Sequence, residues 1–209
     1  MRDRLKNVLG NKKDRIISLY VYGSYLEERE PNDIDLFVII ENGFSKKMGV
    51  IKECKKVTDL KGYPIDWNIK TEDEFRSRVH VNRPVTYFIG IKKRSKLLFG
   101  EHKIKEVKES EIKSSMIIRR AYEIAQRARH CYVNSENVNF WRTKLRKRAL
   151  SLVSELLFLE GEVALNYSEA LNAYISHEPV NRDHLKVLRK DDVTLERLWV
   201  SLERILNTR

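Results

Sequence analysis

Long hydrophobic runs are missing from this chain. Its longest uncharged apolar stretch, Leu36 to Ile40, falls far short of the ~20 residues that cross a bilayer. No membrane partner is therefore expected. The opening residues, MRDRLKNVLGNKKDR, contain no apolar core, so no secretory signal is expected either. Cysteine is scarce: Cys54 and Cys131 are the only two, without metal-ligand spacing. That excludes a disulfide scaffold or a zinc finger and fits a reducing, cytoplasmic setting. Glycine and proline are also few, and they are unevenly placed. Beyond Gly100 only Gly161 and Pro179 occur. The shift points to a mixed α/β region followed by an all-helical one. There is no fixed-period repeat and no low-complexity segment.

Charge is plentiful. The 209 residues carry 41 Lys and Arg against 30 Asp and Glu, a net charge of +11. The excess is spread along the chain, with no basic tail. It marks a surface that attracts anions such as nucleotides or nucleic acids, or simply a highly charged soluble surface. Apolar residues make up 42% of the chain, enough for a core.

The patterning predicts an α+β protein with domains at 1–106 and 107–209. In the first, Ile16 to Tyr22 reads as a buried strand ended by Gly23-Ser24, and Asp33 to Ile40 as a second strand. Phe44 to Leu60 is expected to be a helix. Tyr63 to Lys70 reads as a third strand, with Tyr63, Ile65, Trp67 and Ile69 on one face and Asp66 and Asn68 on the other. Thr71 and Glu74 form a capping-box pattern ahead of a helix. Pro84 is expected to open another helix, and Lys96 to Phe99 a short strand closed by Gly100. In the second domain, Ile117, Ala121, Ile124, Ala128 and Cys131 form one helical stripe. Trp141, Leu145, Ala149, Leu152 and Leu156 form another, with Gly161 as its C-cap. Shorter helices are expected over 168–177 and 180–190, and a last one carries Leu195, Leu198, Leu202 and Ile205. Several striped helices make a bundle.

The chemistry is concentrated between Tyr22 and Ile40. Asp33 and Asp35 are two apart on a strand, so they share a face. Two carboxylates that close repel one another unless a cation intervenes, and Mg²⁺ prefers such oxygen ligands. Asp66, between apolar neighbours of another strand, is costly if buried unpaired. Adjacent strands would bring the three around one metal site. Gly23 lets a phosphate approach the backbone, and Ser24 offers a hydroxyl and an N–H. Taken singly, Asp33 reads as a turn residue after Pro31-Asn32, Asp35 as a solvent-facing strand position, and Asp66 as a sheet-edge residue. In the basic run after Trp141, Lys144 and Arg148 are four apart and can lean together on a phosphate, or can belong to a solvated helix face.

Gly23-Ser24, Asp33-x-Asp35 and the later Asp66 resemble the nucleotidyltransferase superfamily of DNA polymerase β. The run Ser95 to Glu101 resembles the strand that closes its minimal domain, so the likeness covers about residues 10–101. The helical region is similar in architecture to bundles appended to antibiotic nucleotidyltransferases, the kanamycin enzyme among them, and to HEPN-type partners. The connector departs from the family's pattern, being short and acidic with Leu26-Glu27-Glu28 after Gly-Ser-Tyr; Arg29 is the cation left there to meet a triphosphate.

The resemblance implies transfer of a nucleoside monophosphate from an NTP to a hydroxyl acceptor, with pyrophosphate leaving and two Mg²⁺ ions assisting. Asp33, Asp35 and Asp66 are then the metal ligands and catalytic residues, with Asp66 orienting or deprotonating the nucleophile. Gly23, Ser24, Lys144 and Arg148 are expected to bind the nucleotide, and the acceptor, a small molecule, protein or RNA end, to lie against the helical domain. The alternative is an antitoxin-like or nucleic-acid-binding protein whose helical domain docks a toxin-like partner. A second copy of the chain is a further expected partner.

Overall fold

The computed structural model describes residues 5, 14–26, 31–78, 84–134, 137–162, 164, 167–177, 182–190 and 192–207. The chain divides into two compact units, one formed by Met1–Arg83 and Tyr87–Glu111, the other by Pro84–Thr86 and Ile112–Arg209. Together their elements make an α+β fold.

The first unit is built on a five-stranded mixed sheet. Its strands are β1 (Ile16–Tyr22), β2 (Ile34–Ile40), β3 (Asp59–Leu60), β4 (Tyr63–Thr71) and β5 (Lys96–Gly100). Their spatial order is β3-β4-β2-β1-β5. β2 runs parallel to β4 and antiparallel to β1, and β5 runs antiparallel to β1. The central place of β2 explains its near-continuous apolar sequence, because both of its faces are covered. On one face Leu19, Val21, Ile34, Leu36, Val38 and Ile40 pack with Val50 and Cys54 of helix α1 (Phe44–Lys55). Ile65, Trp67 and Ile69 join that layer, as their period-2 spacing requires. On the other face Phe37 meets Phe75 of α2 (Glu72–Arg76) and Tyr87 and Phe88 of α3 (Tyr87–Arg94) through edge-on and tilted rings.

Local signals account for most boundaries. The Thr71 hydroxyl accepts the Glu74 N–H, while the Glu74 carboxylate accepts the Thr71 N–H, a complete capping box. α1 stops at Lys55 rather than running to Leu60. The Trp67 indole donates to the Val57 carbonyl at 3.0 Å, and the Ile65 N–H donates to the Thr58 carbonyl at 3.0 Å. These bonds draw residues 57–60 out of the helix and onto the sheet edge. α3 begins at Tyr87, three residues after Pro84, and Pro84 to Thr86 fall in the other unit. There the Val85 N–H donates to the carboxylate of Glu155.

The second unit is helical: α4 (Ser114–Asn134), α5 (Val138–Leu159), α6 (Tyr167–His177), α7 (Arg182–Val187) and α8 (Leu195–Asn207). Both expected stripes point inward; every member is buried except Trp141, which is partly so. Tyr174, Leu185, Leu198 and Leu202 from the later helices close the same core. α5 starts on the side chain of Asn137, which accepts the Phe140 N–H at 3.1 Å. It ends in a Schellman motif: Gly161 has φ 84, and the N–H groups of Gly161 and Glu162 donate to the carbonyls of Phe158 and Leu157. The helix expected over 180–190 ends early, at Val187 of α7, with residues 188 and 189 in a turn; residues 178–181 lie outside the described set. Among the described residues no helix is long and apolar enough to cross a membrane.

Candidate active site

The sheet ladder assembles a polar row. Tyr22, the last residue of β1, lies opposite Asp35 of β2, and Asp35 lies opposite Asp66 of β4. Partners across a ladder project from the same face, so the Tyr22, Asp35 and Asp66 side chains stand in line. Asp33 comes two residues before Asp35, just ahead of the strand, and is half-buried like Asp35. Asp66 is exposed, so the desolvation cost that a buried lone carboxylate incurs does not arise here. The row sits at the end of the sheet because β1 finishes there while β2 begins beside it.

Gly23 follows at once, with φ 77. A Cβ on it would stand 2.3 Å from Asp35 Oδ2. The Asp35 carboxylate thus occupies the space any larger residue at 23 would fill, and only glycine meets both conditions. Ser24 to Leu26 then form a single 3-10 turn, closed by the Leu26 N–H donating to the Gly23 carbonyl at 3.1 Å. Ser24 is half-buried and therefore still reachable from solvent. Arg29 lies outside the described residues.

Among the described residues, no three His, Cys, Asp or Glu side chains form a metal-holding group. The ladder makes Asp35 and Asp66 neighbours without closing a cage with Asp33. The donor chemistry nevertheless fits a hard divalent cation. It consists of carboxylate oxygens on adjoining strands, reachable from solvent, with Gly23 leaving one of them room.

Behind the row is a hydrogen-bonded trio that sequence reasoning largely missed. The Tyr22 and Tyr87 hydroxyls are 2.9 Å apart, and the Asn68 amide donates to the Tyr87 hydroxyl. Asn68 follows Asp66 by two residues and shares its face. Only Asn68 carried a signal, by alternation. Tyr87 comes from α3, and nothing in the sequence ties it to β1 or β4.

Lys144 and Arg148 are on α5 of the helical unit, where their neighbours differ. Lys144 is exposed, with its Nζ 4.9 Å from the centre of the Phe140 ring. Arg148 is half-buried; burial, then the nearby Arg120 and Arg127 charges, lowers its pKa. Two turns further along α5, Glu155 is fully buried. It accepts the Arg120 Nε–H at 2.9 Å as well as the Val85 N–H. Burial pushes its carboxyl up to about 7 against the opposing pull of Arg120 and the Val85 N–H. In sequence, Glu155 is no more prominent than any other helical glutamate.

Comparison with known proteins agrees with this geometry. Residues 3–87, less than half of the chain, match the family model "Polymerase beta, Nucleotidyltransferase". No curated protein sequence matches significantly. Among solved structures, spectinomycin adenyltransferase AAD(9) from Enterococcus faecialis, solved with ATP and spectinomycin, aligns over 96% of this chain and 97% of its own, with a TM-score of 0.55 and 15% identity. A nucleotidyltransferase-like protein from Exiguobacterium sibiricum aligns over 100% of this chain and 75% of its own, with a TM-score of 0.46 and 12% identity. The fold of AAD(9) is therefore shared across both units, while the family match rests on the first. The residues that carry the Gly-Ser turn and the register of Asp35 on Asp66 thus lie within the segment that is similar to polymerase β-type nucleotidyltransferases.

Proposed function

We propose that this nucleotidyltransferase moves a nucleoside monophosphate from an NTP, ATP first among them, to a hydroxyl acceptor, with pyrophosphate as the leaving group. The observation that carries the reading is the register of Asp35 on Asp66, with Gly23 fitted against Asp35. Asp33 and Asp35 would hold the Mg²⁺ that accompanies the triphosphate, and all three aspartates a second ion. Bound there, Mg²⁺ lowers the pKa of the acceptor hydroxyl and offsets charge on the phosphoryl oxygens. Gly23 and Ser24 line the start of a turn, where a backbone N–H and the Ser24 hydroxyl can bind phosphate oxygens. Asp66, the exposed carboxylate of the row, is the group suited to orient the acceptor and take its proton. Lys144 and Arg148 are the residues we assign to the phosphates from the helical unit.

The acceptor we favour is a hydroxyl-rich small molecule. The support is the alignment of nearly the whole chain with AAD(9), a protein solved with ATP and spectinomycin. The test is incubation with α-labelled NTPs and Mg²⁺ against spectinomycin, RNA and protein acceptors, with EDTA as control. Label should move to a small acceptor, ATP should serve best, and EDTA should stop it. Label on RNA or protein alone would replace the acceptor class. No metal-dependent label on any acceptor would overturn the proposal.

A further inference from the structure

Tyr22, Tyr87 and Asn68 bind one another across the strand that carries Asp35. Tyr22 is on β1 and Asn68 on β4, and β2 lies between them. Two strand spacings separate their backbones by about 10 Å. Tyr87 spans that gap: its hydroxyl meets the Tyr22 hydroxyl on one side and the Asn68 amide on the other. On this face β2 projects Asp35 and Phe37. The Phe37 ring packs edge-on against Tyr87, with centroids 6.3 Å apart. The bridge therefore passes over β2 where the dry aromatic layer ends and the carboxylate row begins.

The bond between the two hydroxyls can run either way. The Asn68 amide hydrogen fills one lone pair of the Tyr87 oxygen. One hydroxyl hydrogen serves the bond between the two tyrosines. With Tyr87 as the donor in that bond, the Tyr22 hydroxyl hydrogen is directed to an acceptor outside the trio. On this face the residue directly opposite Tyr22 is Asp35, with Asp66 the next one across.

We infer that Tyr22, pinned by Tyr87 and Asn68, is a positioning residue that presents a hydrogen-bond donor to the Asp35 carboxylate row and fixes its orientation for metal and substrate. This rests on the proposed nucleotidyl transfer. A donor held in place restricts the carboxylate to one orientation and strengthens its bond in a partly dry site. Phenylalanine at 22 or 87 would keep the packing of the ring and remove only the hydroxyl, so the fold can be retained while the orientation is lost.

The experiment uses the full chain and its Tyr22→Phe, Tyr87→Phe and double variants. Mn²⁺ affinity is read by electron paramagnetic resonance, transfer by kcat and KM, and stability by thermal melting. Tyr22→Phe should weaken Mn²⁺ binding severalfold and lower kcat about tenfold, with KM for NTP and Tm nearly unchanged. Tyr87→Phe should do the same to a smaller degree, and the double variant should be no worse than Tyr22→Phe. A lower Tm with unchanged Mn²⁺ affinity and kcat would make the trio a structural tie and overturn the inference. So would wild-type values throughout, leaving the transfer reading intact. A wild-type protein that neither binds Mn²⁺ nor transfers label would overturn both.

Discussion

Carboxylates in the two units have opposite environments. In the sheet unit Asp35 and Asp66 stand side by side at the end of a ladder, one half-buried and the other exposed. In the helical unit Glu155 is fully enclosed, with its oxygens taken by Arg120 and the Val85 N–H. Each arrangement limits the electrostatic cost differently. The aspartates stay near water and next to one another, which leaves them able to take a cation. Glu155 has its partners built in, and burial still holds its carboxyl near neutrality. Accessibility, more than the number of acidic groups, separates a carboxylate that can serve a ligand from one that serves the fold.

The strongest test of this contrast is Asp35→Asn. Transfer should fall about a thousandfold or more, because an amide cannot balance a divalent cation as a carboxylate does. Folding should survive, and the metal-free protein should melt at the same temperature or higher, since a like charge beside Asp66 is gone. Near-normal kinetics in this variant would remove Asp35 from the site.

Glu155 gives the matching test in the helical unit. Its pKa in the fold is about 7 against an ordinary 4.5. The folded protein therefore holds the proton more tightly than the unfolded chain. That stabilisation is fully present below pH about 4.5 and is lost as pH rises through about 7. The whole shift corresponds to something on the order of 3 kcal/mol. Urea denaturation at a series of pH values should show Glu155→Gln flattening this decline relative to wild type. Parallel curves would mean that Glu155 does not titrate within the window.

Gly23→Ala sharpens the comparison from the backbone side. The substitution meets both an unfavourable φ of 77 and the Asp35 carboxylate 2.3 Å away. A loss of about 1–3 kcal/mol is expected, with activity falling further than stability as Asp35 is displaced. Denaturant titration and kinetics together decide it, and equal losses in both would reduce Gly23 to a turn residue. The smallest effect belongs to Thr71→Ala, which removes half of a capping box five residues along β4 from Asp66. About 1 kcal/mol of stability should go, with kcat unchanged. A drop in kcat there would tie α2 to the site.

The elements that were legible had local causes. Alternation in Tyr63 to Ile69 assigned the faces of β4, and the 4-3 stripes identified the buried sides of α4 and α5. The Thr71 and Glu74 side chains stated their cap outright. The end of α1 was misjudged because it depends on Trp67, ten residues beyond Val57. Pro84 misled for a similar reason: the Val85 N–H is satisfied by Glu155, seventy residues away.

By itself the sequence determined the order Gly-Ser, Asp-x-Asp, Asp, the strands that bear Asp35 and Asp66, and the helical character of the second half. These follow from period, turn chemistry and side-chain type, all of which act over a few residues. Tertiary structure alone decided that Asp35 pairs with Asp66 rather than with a neighbour one residue away, because parallel register is set by the packing of a whole sheet face. It also decided that Asp66 is exposed, that Tyr87 bridges Tyr22 and Asn68, and that Glu155 is enclosed with Arg120. Each depends on which distant side chains share one space, and no local pattern encodes that.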